Sequence, residues 1–135
     1  MMTEANKKLL FIELCARLPY GVKVKCGREI LTLNVNWLQM FQYHLDEIKP
    51  YLRPISSMTD EEMDKLFDIL KIDKDGEDED WIKINDAVGI KFFFPTGKWV
   101  EHVALAYDYL YSIHIDFRGL IPLGLAFPAP DGMYV

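Results

Sequence analysis

Three residues near the C-terminus have the chemistry of a small catalytic or anion-binding group: His114, Asp116 and Arg118. If this stretch is extended, side chains two positions apart lie on one face, so the imidazole and the carboxylate would be neighbours. A carboxylate that orients an imidazole suits a general base, and the arginine could bind an anion. A histidine at a helix C-terminus also has a structural use, because the helix dipole favours its cationic form. We favour the structural interpretation and keep an enzyme that uses these three residues as the alternative.

An acidic run at residues 73–80 invites comparison with a calcium-binding loop. An EF-hand needs oxygen ligands at its first, third and fifth positions, glycine at the sixth and glutamate at the twelfth. With Gly76 at the sixth position, Lys71 falls at the first and Ile82 at the twelfth, so the pattern fails at both ends. We therefore expect a solvated acidic loop and no metal site, with weak binding of hard cations by the carboxylates as the alternative.

The remaining metal and nucleophile candidates are also weak. No two of the three histidines have the four-residue spacing of a helical metal site. Cys15 and Cys26 have no further ligands at short spacing, so we interpret them as reduced, mostly buried thiols. The sequence has neither a GxSxG motif nor a glycine-rich phosphate loop after a strand, and we expect no cofactor.

The net charge of −6 comes from one segment of the chain. Residues 56–80 hold three basic and eleven acidic side chains, whereas residues 1–55 hold eight basic and five acidic ones. This distribution favours a contact with a basic protein surface, for which we select Asp75, Asp78 and Asp80. Two other uses stay open: the carboxylates could imitate the phosphates of a nucleic acid, or they could keep an aromatic-rich protein soluble.

Basic residues are scattered along the sequence, so we expect no direct binding of nucleic acid. The nearest approach to a cluster is Lys23, Lys25 and Arg28. Alternation places Lys23 and Lys25 on the same face of a strand, which we interpret as the solvated face of a half-buried sheet in preference to the alternative, a phosphate-binding surface.

Hydrophobic periodicity and capping residues predict the elements that must position these groups. A helix over 4–17 follows Thr3, a helix over 60–71 follows the capping-box pair Thr59 and Glu62, and a long helix covers 99–113. The alternation over 22–36 predicts a β-hairpin whose two-residue link begins with Gly27, which should have a positive φ. The remaining segments are interpreted as follows: 37–45 as a strand with a helix left open, 48–58 as an edge strand or extended loop because of Pro50 and Pro54, and 81–84 and 88–94 as two more strands.

These elements predict an α+β fold over a single domain, residues 1–135. It has a small antiparallel sheet, an N-terminal helix, a middle acidic helix and a long C-terminal helix packed on the sheet. Several short strands with proline-marked ends would also suit a barrel-like sheet. No apolar run reaches the roughly 18 residues of a membrane span, and the N-terminus lacks the pattern of a signal peptide. We therefore expect a cytoplasmic protein.

Three parts of the chain resemble one family. The stretch Ile48 to Thr59, the stretch Leu14 to Val22 and the tail from His114 to Tyr134 are similar to small phage- and prophage-associated proteins of gut anaerobic bacteria. No function is established for that family, so the resemblance implies a mobile-element context and no reaction. With the charge distribution, it leads us to expect a non-enzymatic protein-interaction module that uses the acidic segment 60–80.

Overall fold

The computed structural model describes residues 2–71, 82–85, 89–92 and 100–134 of the chain, and it confirms the α+β class. In this part of the chain the helices are α1 (Glu4–Arg17), α2 (Val35–Phe41), α3 (Asp60–Leu70) and α4 (Val100–Ser112). The strands are β1 (Lys23–Cys26), β2 (Glu29–Thr32), β3 (Ile48–Leu52), β4 (Ile82–Asn85), β5 (Gly89–Phe92) and β6 (Phe127–Pro128).

The residues group into two compact units. The first, called the sheet unit, comprises Met1–Leu52 and Leu120–Val135, and the second, called the helical unit, comprises Arg53–Gly119. Among the described residues, each unit has a hydrophobic core of its own. The expectation of a single domain over 1–135 stays a prediction.

The sheet unit contains a four-stranded sheet in the order β2-β1-β3-β6. Its first three strands are antiparallel neighbours, whereas β6 runs parallel to β3, so the expected antiparallel sheet is in fact mixed. The hairpin of β1 and β2 is confirmed, and Gly27 in its link has a φ of 62°. A positive φ lets the link follow the right-handed twist of the two strands.

One buried face of this sheet packs on α1. Val24, Ile48 and Leu52 are buried in the same core cluster as Leu10 and Leu14 of the helix. Thr3 caps α1 as predicted, because its hydroxyl accepts a hydrogen bond from the backbone N–H of Asn6 at 3.1 Å. The spacing of four between the two leucines is what places them on one side of α1.

Two expectations for the segment after the hairpin need correction. Residues 37–45 do not form a strand: the Asn34 side chain accepts from the N–H of Trp37 at 2.9 Å and starts α2, which buries Leu38 and Phe41. The spacing of three between those two residues suits a helix, and the asparagine cap decides between helix and strand. Strand β3 is not an edge strand, because β1 and β6 flank it. It accepts Pro50 because β6 pairs only with Tyr51 and Leu52.

In the helical unit, α3 and α4 pack around a core that also includes residues of the β4–β5 hairpin. The capping box at Thr59 and Glu62 and the long C-terminal helix are confirmed. The segment after α4 joins this unit through backbone contacts: Ile115 forms an isolated parallel bridge with Arg53, and the Ile90 N–H donates to the Phe117 carbonyl at 2.9 Å. The buried side chains of the core are Ile55, Leu66, Phe67, Leu70, Ile82, Ile90, Ala106, Leu110, Ile115 and Phe117.

Candidate functional site

The N-terminal end of α3 is held by a two-pronged ion pair between Arg53 and Glu62. The guanidinium donates to the two carboxylate oxygens at 2.7 and 2.8 Å, and both side chains are 19% exposed. Arg53 also donates to the carbonyls of Ser57 at 2.9 Å and Ile113 at 3.2 Å. This one side chain therefore connects the start of α3, the turn before it and the end of α4.

Glu62 belongs to the capping box as well. Its carboxylate accepts from the N–H of Thr59 at 2.9 Å, and the Thr59 hydroxyl accepts from the N–H of Glu62 at 3.1 Å. The hydrogen bonds from Arg53, opposed by partial burial, lower the pKa of Glu62 below its usual 4.5. Glu62 is therefore ionised at neutral pH and serves an internal anchor.

The other carboxylates of α3 are exposed to solvent. Glu61, Asp64 and Asp68 follow one another at spacings of three and four, which places them along one side of the helix, opposite the buried Leu66 and Leu70. We call these three residues the acidic face. Because the buried side of α3 is fixed in the core and its first turn is anchored by Arg53, the acidic face has a defined orientation in the helical unit.

The two units differ in net charge. The helical unit, Arg53–Gly119, holds eight basic and fifteen acidic residues, whereas the sheet unit holds seven basic and six acidic ones. The acidity of the chain is thus a property of the helical unit. The three carboxylates that the sequence assigned to partner binding, Asp75, Asp78 and Asp80, lie outside the described residues.

The candidate catalytic residues are close in sequence but differ in environment. His114, two residues after the end of α4, has a left-handed φ of 64°, which interrupts the extended geometry that would align alternate side chains. Asp116 is buried, with 3% of its surface exposed, whereas Arg118 is exposed. The Arg118 guanidinium lies 4.7 Å from the centre of the Tyr107 ring and 5.1 Å from that of Phe117. Asp116 and Arg118 are therefore in different environments, one buried and the other exposed to solvent.

Backbone hydrogen bonds give this segment a structural use. The carbonyl of His114 accepts from the Arg53 N–H at 2.7 Å, and the N–H of Asp116 donates to the Arg53 carbonyl at 2.9 Å. The chain around His114 is thus tied to the residue that anchors α3. These hydrogen bonds help to hold α3, and with it the charged acidic face, in a fixed position within the helical unit.

Sequence reasoning did not select Arg53. It is nine residues from Glu62, and the intervening Pro54 and the short helical turn Ile55–Ser57 give no periodic pattern that would pair the two. The capping-box spacing identified Glu62, but as a partner of the backbone only. The short helical turn Ile55–Ser57 brings Arg53 beside α3, and only this turn makes its guanidinium a partner of Glu62.

Within the described ranges, no group of three or more histidine, cysteine or acidic residues is arranged to hold a metal ion. No described helix has the length and apolar composition needed to cross a bilayer. Both thiols are free; Cys15 is exposed and Cys26 is half-buried, so the expectation of mostly buried thiols was wrong. Cys15 is on the solvent side of α1 because its neighbours Leu10 and Leu14 take the buried side.

The chain matches no protein-family model, no curated protein and no solved structure.

Proposed function

We propose that the protein is a non-enzymatic protein-interaction module whose contact surface is the acidic segment 60–80. The supporting observation is the acidic face of α3, where Glu61, Asp64 and Asp68 are exposed along one side of an anchored helix. The partner that fits such a surface by charge is a basic region of another protein. The proposal also places the protein in the cytoplasm and in a phage or prophage context, the latter from the resemblance of residues 48–59.

Anchoring of the helix supports this role, because a fixed surface loses less conformational entropy on binding than a mobile one. The Arg53–Glu62 ion pair and the Thr59 cap restrain the first turn of α3, while Leu66, Phe67 and Leu70 fix its buried side. None of these restraining groups belongs to the acidic face. The exposed carboxylates can therefore meet a partner without loss of the anchor.

Each exposed carboxylate contributes little affinity, since water and salt screen it. Several of one sign, close together, act mainly on the rate of association, which falls as the ionic strength rises. Raising salt from about 0.05 to about 0.5 M shortens the Debye length from roughly 14 to roughly 4 Å. A contact made by the acidic face should weaken over this range.

The environment of His114, Asp116 and Arg118 supports the non-enzymatic assignment. A general base must reach the proton that it removes, and its acid partner must orient it in the same site. Asp116 is buried, while Arg118 is an exposed residue whose guanidinium lies 4.7 Å from the centre of the Tyr107 ring. An enzyme that uses these residues would need to bring the two side chains into one pocket.

The test is quantitative capture of partners from a host lysate at the two salt concentrations. The helix variant combines Glu61→Gln, Asp64→Asn and Asp68→Asn, and a second variant changes Asp75, Asp78 and Asp80 to asparagine. A matched control removes three exposed carboxylates from the sheet unit: Glu4→Gln, Glu29→Gln and Asp131→Asn.

We expect the control to capture the same partners as the wild type. The helix variant and the Asp75, Asp78 and Asp80 variant should capture less of them at low salt, where the charges are least screened, and should differ less from the wild type at high salt. Purified partner and wild-type protein should then associate more slowly as salt increases. Equal capture by all four proteins at both salt concentrations would show that the carboxylates only keep the protein soluble, and the proposal would be abandoned.

A further inference from the structure

Besides the acidic face of the helical unit, a charged surface lies on the sheet unit. It is on the side of the sheet opposite the core. Alternation along β1 and β3 buries Val24, Ile48, Pro50 and Leu52 on one side and turns Lys25, Lys49 and Tyr51 to the other. The register places Lys25 directly opposite Lys49, and Tyr51 directly opposite Phe127 of β6. We call Lys25, Lys49, Tyr51 and Phe127 the lysine face.

The aromatic rings of this face lie side by side. The ring centres of Tyr51 and Phe127 are 5.5 Å apart and the ring planes differ by 34°. The ammonium groups of Lys49 and Lys25 lie 4.7 and 5.6 Å from the centre of the Phe127 ring. Two cations and two flat apolar rings are thus concentrated on three neighbouring strands.

The two lysines are placed where they repel each other. Like charges directly opposite on antiparallel strands destabilise the pairing. In the described part of the chain, no carboxylate makes an ion pair with Lys25 or Lys49. An anion bound between the two ammonium groups would remove this repulsion. The face is also open, because Lys25 is exposed and a shallow depression of about 200 Å³ lies beside Phe127.

We propose that the lysine face binds single-stranded nucleic acid. Phosphates would pair with Lys25 and Lys49, and a base would stack on Phe127 or Tyr51. Every base has a flat face that stacks on aromatic side chains, while lysines follow the phosphate backbone. The two lysine stems are flexible, and exposed cation–π contacts are weak, so the ammonium groups can leave the Phe127 ring when phosphate and base arrive. An acidic peptide would use the lysines but has no need of the paired rings.

The sequence led to the opposite expectation because Lys25 and Lys49 are far apart in the chain. Only the antiparallel pairing of β1 with β3 makes them neighbours. The lysine face shares no residue with the acidic face, which belongs to α3 in the helical unit, so this inference does not depend on the proposed function. Two exposed carboxylates, Asp46 and Glu47, line the same depression and should weaken the binding of any polyanion.

The test is fluorescence anisotropy with labelled oligothymidylate and oligouridylate of about 12 nucleotides, at low salt. We expect binding that weakens with salt, with a slope of log K against log salt that falls by about 0.7 for each lysine removed. Lys25→Gln and Lys49→Gln are surface changes that should leave the fold intact. The matched control is Lys65→Gln, which removes an ammonium group 5.1 Å from the Tyr109 ring, in the helical unit.

Three further variants separate stacking and repulsion from simple charge attraction. Phe127→Leu and Tyr51→Leu keep apolar bulk but remove a ring, and each should weaken binding by roughly five-fold or more. The pair Asp46→Asn and Glu47→Gln should strengthen binding. Circular dichroism of each variant checks that it is folded, and if Phe127→Leu does not fold, Tyr51→Leu and the lysine variants still decide the question.

The proposal is overturned if neither oligonucleotide binds at low salt, or if Lys65→Gln reduces binding as much as Lys49→Gln does. It is also overturned if a poly-glutamate peptide binds as tightly as the oligonucleotides and the ring variants have no effect. That last pattern would assign the lysine face to an acidic protein partner.

Discussion

Breaking the ion pair between Arg53 and Glu62 should measure how firmly α3 is anchored. Both oxygens of Glu62 accept from the guanidinium, at 2.7 and 2.8 Å, and each side chain is 19% exposed. Exposed ion pairs contribute about 0.2–1 kcal/mol, whereas two-pronged, charge-assisted hydrogen bonds are roughly twice as strong as neutral ones. With the remaining exposure taken into account, we expect a coupling energy of about 1–2 kcal/mol.

The measurement is a double-mutant cycle with Arg53→Met, Glu62→Gln and the double variant, using urea unfolding at pH 7. Arg53→Met should cost more than the coupling energy alone, because it also removes the hydrogen bonds to the carbonyls of Ser57 and Ile113. The control is the exposed pair of Lys7 and Glu4, 3.5 Å apart, in which the glutamate is 92% exposed. Its coupling should not exceed a few tenths of a kcal/mol.

The coupling energy of Arg53 and Glu62 should also depend on pH, which gives a second test of the anchor. Because Arg53 lowers the pKa of Glu62 below 4.5, the unfolded chain takes up the proton at a higher pH than the folded chain does. The stabilisation is therefore complete above about pH 5 and is lost as the pH falls through the lowered pKa. A coupling energy no larger than that of Lys7 and Glu4, or one that is the same at about pH 3 as at pH 7, would refute the anchor.

Four other substitutions test the fold around the two proposed surfaces, each by denaturant unfolding. Gly89→Ala should destabilise the protein by about 3 kcal/mol or more, because Gly89 has a φ of 88° and a Cβ there would overlap the carbonyl oxygen of Phe117. Gly27 has a φ of 62° but open space around it, so Gly27→Ala should cost only about 1 kcal/mol. Equal losses for the two would contradict the close approach of Gly89 to Phe117. Thr59→Ala should cost about 1 kcal/mol by removing the cap of α3, and a loss of only a few tenths would show that the capping box is unimportant. Tyr134→Phe should cost about 1–3 kcal/mol, because the Tyr134 hydroxyl donates to the Tyr51 carbonyl at 2.6 Å and accepts from the Lys23 N–H at 2.8 Å; no loss would mean that water replaces both bonds.

Local signals in the sequence predicted most helices and the first hairpin. Thr3 and Thr59 cap their helices by accepting a hydrogen bond from a backbone N–H three residues away. The sequence pattern that predicts these helix starts therefore involves the same residues that form the caps. Gly27 likewise reflects a requirement of a two-residue link. At 37–45 the apolar pattern favours a strand and leaves a helix open, whereas the side-chain cap of Asn34 starts a helix there. The short, apolar segment suited both structures, and the cap decided.

The two proposed surfaces differ in how far the sequence could reveal them. The acidic face follows from helical periodicity and from the charge of residues 56–80, both of which are properties of a continuous stretch of chain. Its anchor, Arg53, does not, because the turn at Ile55–Ser57 sets the position of that side chain against Glu62. The separation of Asp116 from Arg118 also depends on packing, since burial in a core is decided by everything around it.

The fold class, the capped helices, the hairpin link and the location of the net charge could be predicted from the order of the amino acids, because these features follow from composition or from residues close together in the chain. Which distant residues share a surface depends instead on how the elements pack. Lys25 and Lys49 become neighbours through the pairing of β1 with β3, and Phe127 reaches Tyr51 through a parallel pairing with a strand more than half the chain away. Such pairings are selected by the burial of the opposite side of the sheet, a collective property that no local pattern records.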